Sequence, residues 1–147
     1  MTFKNNSELI EFLWNAAYMA LRNAQGTVYE IIHDFVRQFY DDYSPELYER
    51  TEQLLNSLVK GDIRPSKNGW VADIYFDLSS LNYVTGAQPS GEQVMEAAVY
   101  GGHGAEGLRV VSGNTGVNVW YDPVQVLDQE AIRILRDRLI EQGVPIR

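Results

Sequence analysis

The chain has 147 residues, a net charge of −8, no cysteine, and 45% hydrophobic residues. This length and composition suit a single folded domain, residues 1–147, and argue against intrinsic disorder. The missing cysteines exclude disulfides and thiolate metal sites, no apolar run approaches the roughly 18 residues of a membrane span, and the surplus of acids argues against a high-affinity DNA binder.

The first predicted element is a long helix that begins at Ser7, whose hydroxyl can cap a free backbone N–H group. A polar stripe keeps its helical phase across Gly26, so the pattern predicts one helix to about Asp42, roughly 50 Å long, rather than two. The apolar residues in helical phase are Leu9, Leu13, Ala16, Ala20, Ala24, Val28, Ile31, Phe35 and Phe39.

A second apolar set widens the stripe of this helix beyond half of its circumference. Its members are Ile10, Phe12, Ala17, Leu21, Ile32 and Val36. A helix with so wide an apolar face usually buries two sides. We therefore expect one side to lie on its own domain, and we predict a surface for a neighbouring subunit that includes Ile10, Ala17, Leu21 and Ile32.

The segment FYDDYSPELYERTEQLLNSL predicts a corner followed by a second helix. Pro45 suits the first position of a helix, because its φ is preset and it needs no N–H partner. Leucines repeat on one face of about four turns, up to Leu58. Tyr40, Tyr43 and Tyr48 gather at this corner, and such a cluster suits either helix packing or a subunit interface.

The segment DIRPSKNGWVADIYFDL predicts a β-hairpin with its turn at PSKNG and a strand from Trp70 to Leu78. A loop follows, then a helix from residue 94, and two short strands in VVSGNTGVNVWY. Asp122 is predicted to cap a closing helix that ends at Gly143. The predicted fold class is α+β, with a long N-terminal helix and a second short helix on a small antiparallel β-sheet, and a C-terminal helix.

Few residues in the sequence point to chemistry. His33 lies on the polar stripe without a second histidine at a ligand spacing. His103 lies among glycines near Glu106, which fits a flexible connecting loop, and we predict that it acts as a docking arm. Asp73 and Asp77 share one face of a strand, as is typical of a solvated sheet surface. We predict no catalytic, cofactor-binding or metal-binding residues.

The same corner and the following strand carry a resemblance to a known family. FYDDYSPELYERTEQLLNSL followed by GWVADIYFDLSSLNY resembles the head–tail joining and tail-completion proteins of long-tailed phages and prophages, which are neck or minor capsid components. The matching positions are Tyr43, Pro45, Tyr48, Arg50, Thr51, Leu54, Ser57, Ala72, Tyr75, Phe76, Asp77 and Tyr83.

This resemblance implies a structural role in virion assembly. Members of that family are α+β subunits that form a ring, usually hexameric or twelvefold, between the portal and the tail tube; they are not enzymes and carry no cofactor. The implied partners are further copies of the chain and neighbouring neck or tail proteins, with no membrane and no small-molecule substrate. The implied location is the virion, and the host cytoplasm during assembly. An acidic ring would let DNA pass without specific binding.

Two other classes of function stay open from the sequence. One is an acidic inhibitor or immunity-like protein that neutralises a basic partner by charge complementarity. The other is a small enzyme that uses His103 with Glu106 or an aspartate. The first predicts a monomer that binds one partner with a strongly salt-dependent on-rate, and the second predicts a turnover that is lost in His103→Ala.

Overall fold

The computed structural model describes residues 2–42, 52–81, 90–100 and 118–146, and within these ranges the fold is α+β, as predicted. A long N-terminal helix supports two small antiparallel sheets and packs against a C-terminal helix. In chain order the elements are α1 (Asn6–Asp42), α2 (Gln53–Asn56), β1 (Leu58–Lys60), β2 (Arg64–Ser66), β3 (Gly69–Val71), β4 (Ile74–Phe76), a 3-10 helix (Leu78–Ser80), α3 (Gly91–Tyr100) and α4 (Tyr121–Glu141).

Helix α1 is continuous over 37 residues and passes through Gly26 without a break, which confirms the prediction of a single long helix. Its cap differs from the prediction. The backbone N–H of Glu8 donates to Oδ1 of Asn5 at 2.9 Å. Asn5 therefore caps the helix instead of Ser7, because the helix begins one residue earlier than expected and asparagine is as good an N-cap as serine.

Helix α2 is a single turn in the part of the chain that the structure describes. Glu52, just before it, has a φ of 53°, in the left-handed region, so the helix does not continue back through this residue. At its end the hydroxyl of Ser57 donates to the carbonyl of Leu54 at 2.8 Å. The prediction of a helix up to Leu58 is wrong, since Leu58 begins β1. Residues 43–51 lie outside the described ranges.

The four strands form one long hairpin, which we call the β-ribbon (residues 58–76). Strand β1 pairs with β4, and β2 pairs with β3, both antiparallel. Between the two ladders, three residues (61–63) face two (72–73), which makes a β-bulge. The predicted hairpin is confirmed. The predicted unbroken strand from Trp70 to Leu78 is wrong, because the bulge interrupts it and Leu78 begins the 3-10 helix.

Helix α3 begins three residues before its predicted start. Ser90 and Gln93 form a capping box: the N–H of Gln93 donates to Oγ of Ser90 at 3.3 Å, and the N–H of Ser90 donates to Oε1 of Gln93 at 3.0 Å. The Ser-x-x-Gln pattern was thus a usable start signal that the sequence interpretation missed. Of the two strands predicted in VVSGNTGVNVWY, the described part is residues 118–121, where a turn at 119–120 leads into Tyr121, the first residue of α4, so the second strand is wrong there.

Helix α4 is capped by Asn118. Its Oδ1 accepts from the N–H groups of Trp120 at 3.0 Å and Tyr121 at 2.8 Å. Asp122 was predicted to be the cap, but it lies inside the first turn, where its Oδ2 accepts from the N–H of Asn118 at 2.6 Å. A carboxylate in this position also favours the positive end of the helix dipole.

The end of α4 is a Schellman motif, as the glycine signal predicted. Gly143 has a φ of 81°. Its N–H donates to the carbonyl of Ile140 at 2.8 Å, and the N–H of Val144 donates to the carbonyl of Leu139 at 3.1 Å. These two bonds satisfy carbonyls that would otherwise end the helix without a partner.

The core gathers around the C-terminal half of α1. The buried cluster contains Val36, Phe39, Leu54, Leu81, Val94, Ala98 and Val119. Val119 brings the start of α4 to this end of α1, whereas a Cβ placed on Gly143 would lie 4.0 Å from the ring of Phe12. Helix α4 therefore runs antiparallel to α1.

Candidate interaction groove

An apolar groove lies between α1, the β-ribbon and α4. Its volume is about 380 Å³, within the size range of ligand pockets. Among the lining residues that the structure describes, none carries a charge. They are Leu21, Ala24, Gln25, Val28, Ile32, Ala72, Ile74, Trp120, Pro123, Val124, Leu127, Ala131 and Leu135.

The floor of the groove is the face of α1 that was predicted to meet a neighbour. Leu21 and Ile32 both line it. Ile10 and Ala17 lie on the same helical face as Leu21, nearer the N-terminus, and Ile10 is 54% exposed. Ile32 is only 7% exposed and is therefore largely buried within its own chain, and its use as a contact with a neighbour stays a prediction.

The outer wall of the groove belongs to α4. Leu127, Ala131 and Leu135 turn toward the groove. Ile132, beside Ala131, points away from the core and is 82% exposed, more than any other exposed large hydrophobic side chain among the described residues. Apolar surface therefore continues from the groove over the outer edge of α4.

The opposite wall is the β-ribbon at its bulge. Ala72 and Ile74 line the groove there. Gln25 of α1 is 9% exposed, and its Nε2 donates to the carbonyls of Gly61 at 2.8 Å and Asp73 at 2.9 Å. A bulge leaves backbone groups without ladder partners; the Gln25 amide supplies a donor to one of them, the Gly61 carbonyl, and a second donor to the Asp73 carbonyl, which also accepts from the N–H of Gly61. This single side chain thus fixes the ribbon to α1.

An aromatic cluster of Trp14, Tyr18 and Trp70 attaches the tip of the β-ribbon to the N-terminal half of α1. The Trp70 ring lies 5.6 Å from Trp14 and 5.1 Å from Tyr18, both in edge-to-face geometry. Nε1 of Trp70 donates to the carbonyl of Trp14 at 3.3 Å. The alternation of the strand marked Trp70 as inward-facing, but no local signal indicated which part of α1 it would meet.

The predicted tyrosine corner is described only at Tyr40. Its hydroxyl accepts from the N–H of Leu54 at 3.3 Å, and its ring packs beside the core cluster, so it ties α1 to α2. Tyr43, Tyr48 and His103 lie outside the described residues. The use of these four residues at an interface stays a prediction.

The carboxylates singled out in the strand serve the local structure. Asp73 pairs with Arg64 across the ribbon on the exposed side. Asp77 caps the 3-10 helix, accepting from the N–H of Ser79 at 3.1 Å. The two carboxylates therefore have separate partners rather than a shared site.

His33 stacks on the ring of Tyr29 with the ring centroids 5.8 Å apart. Nζ of Lys60 lies 5.0 Å from the centroid of the same Tyr29 ring, a cation–π contact. Nδ1 of His33 is buried, and it has no hydrogen-bond partner among the described residues. This stacked arrangement joins α1 to β1 on the side of the helix that was predicted to be polar.

The described ranges hold neither a cluster of metal ligands nor a membrane-spanning helix. They contain no group of three or more histidine, aspartate or glutamate side chains arranged to hold a metal ion. None of the helices described is both long enough and apolar enough to cross a membrane.

The fold and the groove define a small α+β protein with an open, uncharged apolar surface between its two long helices. The sequence profile of the YomN family matches residues 5–141, nearly the whole chain, so the chain belongs to the YomN family. This membership is consistent with a phage-associated protein. No curated protein and no solved structure matches the chain.

Proposed function

We propose that the protein is a structural subunit of virion assembly, a non-enzymatic member of the ring that joins head and tail in a tailed phage or prophage. The observation that carries this proposal is the open apolar groove, with exposed apolar residues beside it on α1 and on α4. Membership of the YomN family and the resemblance over residues 39–83 support the phage setting.

The exposed apolar side chains give the groove the character of a contact surface. Ile10 and Ile132 are more than half exposed, and Leu135 is exposed where it borders the groove. Fully burying one such side chain contributes about 1.5–3 kcal/mol. Apolar residues in a concave, uncharged setting are typical of the centre of a protein interface. A neighbouring component of the particle would cover them.

The net charge of −8 suits a ring that DNA must pass through, because an attractive lumen would hold the phosphates. Exposed acids on α1 such as Glu30 and Asp34 lie away from the groove and are candidates for such a lining. Replacing both by lysine is expected to slow DNA ejection from assembled particles. An ejection rate equal to that of the wild type would reject the acidic-lumen idea.

The test of the proposed function is electron microscopy of particles made without this protein. Filled heads and separate tails are expected, and joined particles should return when the wild-type chain is supplied. Normal joined particles in the absence of the protein would overturn the proposal.

A matched pair of variants links the phenotype to the groove face. Ile10→Asp places a charge on this face at an exposed site, so the fold should survive. Met19→Asp makes the same change nine residues later, about 180° around α1. Complementation should fail with Ile10→Asp and succeed with Met19→Asp, after circular dichroism has shown that both are folded.

A further inference from the structure

We propose that the groove receives an amphipathic helix of a different protein, whose apolar stripe is flanked by a basic residue that pairs with Asp128. The inference rests on the proposed function, because it names the kind of neighbour that the groove takes. It follows from two properties of the groove: the spacing of its apolar rows and the charge at its rim.

The spacing of the apolar rows indicates a helical occupant. On α1 the row Ile10, Trp14, Ala17, Leu21, Ala24 and Val28 advances in alternating steps of four and three residues. Asp128, Ile132, Leu135 and Leu139 do the same along the outer edge of α4. Rows of this spacing on two adjacent helices form the seam into which a third helix packs. The α1 row is about 27 Å long at 1.5 Å per residue, enough for five turns of an added helix.

The charge at the rim indicates a basic occupant. Asp128 is the one charged member of the α4 row, it is exposed, and it makes no hydrogen bond or ion pair with any residue that the structure describes. Arg138, on the inner side of α4, is already engaged: it donates to Glu141 at 2.7 Å and to Thr27 at 3.0 Å. An incoming base therefore meets an acid that has no partner among the described residues.

The net charge of the chain argues against a second copy in the groove. A second copy carries the same net charge of −8, so it does not bring the opposite net charge that Asp128 would attract. The opposite charge on a partner would speed its association instead. Contacts between copies in a ring would then use other parts of the subunit.

The probes are two designed 22-residue helical peptides with the same leucine stripe, one flanked by lysines and the other by glutamates. Their binding to the full chain is measured by calorimetry at low and at physiological salt. The lysine peptide should bind at least tenfold more tightly, with the difference shrinking as salt rises.

Charge reversal at one residue tests the contact. Asp128→Lys should lower the affinity for the lysine peptide roughly fivefold to tenfold and raise the affinity for the glutamate peptide. This is the change expected when one exposed ion pair becomes a pair of like charges. Asp137→Lys is the matched control, because it makes the same change on the same helix about 180° away. It should alter both affinities by the same small factor.

A groove-filling variant tests the location. Ala131 lines the groove, and Ala131→Trp should abolish binding of the lysine peptide while the helix content stays unchanged. Equal binding of both peptides, no effect of Asp128→Lys, or binding by neither peptide would each overturn the inference. So would sedimentation that shows a dimer disrupted by Ile10→Asp, since a second copy would then occupy the groove. If heads and tails still separate without the protein, the proposed function stands although this inference has failed.

Discussion

Gln25 shows how one side chain can hold a β-bulge against a helix. Its amide reaches the carbonyls of Gly61 and Asp73, which lie on the two strands of the β-ribbon where the pairing slips by one residue. Asp73 also accepts from the N–H of Gly61 at 2.9 Å, so the bulge closes on itself and on α1 together. The partners are 36 and 48 residues away along the chain.

Gln25→Ala is expected to lower the free energy of unfolding by about 1–3 kcal/mol, because it leaves the Gly61 carbonyl without its donor in a partly buried place. Urea denaturation measures the change. Gln38→Ala removes an exposed glutamine from the same helix and should change stability by less than about 0.5 kcal/mol. Equal effects in the two variants would mean that the amide bonds do not hold the ribbon.

The sequence could not predict the Gln25 contact. A glutamine on a helix is most often solvated, and on the helical pattern Gln25 belonged to the polar stripe. Gln25 is buried because the bulge packs against it. The bulge lies there only because the β-ribbon folds back onto α1. The alternation of apolar and polar residues from Trp70 to Leu78 did not indicate the bulge, because apolar residues continue to alternate across it.

At the scale of elements, local signals predicted well where they act alone. The phase of the polar stripe predicted that α1 continues across Gly26, and Gly143 follows the end of α4, as expected. The prediction of α2 failed because leucine spacing suited a helix up to Leu58, whereas pairing of β1 with β4 took that residue into a strand. Long-range pairing overrode local periodicity there.

Substitution of two glycines by alanine should change the stability of the protein in opposite directions. Gly26→Ala adds a methyl group into open space within a helix and should stabilise the protein by up to about 1 kcal/mol. Gly143→Ala forces an L-residue into a φ of 81° and should destabilise it by about 1–2 kcal/mol. Thermal and urea unfolding of both variants measure the direction of each change in stability. A loss of stability in Gly26→Ala would show that α1 needs flexibility at that point.

A third glycine joins two elements at close range. A Cβ placed on Gly91, the first residue of α3, would overlap the backbone carbonyl oxygen of Leu78 in the 3-10 helix. Gly91→Ala must therefore separate these elements, and its loss of stability should exceed that of Gly143→Ala. Near-ultraviolet circular dichroism should also change. A variant as stable as the wild type would contradict this close approach.

At the scale of the whole molecule, the apolar residues divide into those that fold the chain and those left for a partner. Ile32 is almost fully buried, and Ile32→Ala should cost about 2 kcal/mol, at the low end for a core isoleucine because it borders the groove. Ile132→Ala should change stability by less than about 0.5 kcal/mol. Chemical denaturation measures the free energy of unfolding of both variants. A large loss in Ile132→Ala would mean that this residue supports the fold.

Part of the candidate surface could be predicted from the sequence. The width of the apolar stripe on α1 predicted a second covered side, and Leu21 and Ile32 do line the groove. The pattern could not show that α4 and the β-ribbon would lie on either side of this stripe, nor that Ile32 itself would be almost fully buried. Helical phase fixes which residues share a face, and tertiary packing decides how much of that face stays open.

The placement of the tryptophans gives the protein a built-in optical reporter. The chain has three: Trp120 lines the groove, and Trp14 and Trp70 form the aromatic cluster nearer the N-terminus of α1. Indole emission shifts when water near the ring is displaced, so occupancy can be followed by intrinsic fluorescence without a label. Replacing Trp120 by phenylalanine would leave the signal of the aromatic cluster alone and so show whether an occupant reaches as far as Trp14 and Trp70.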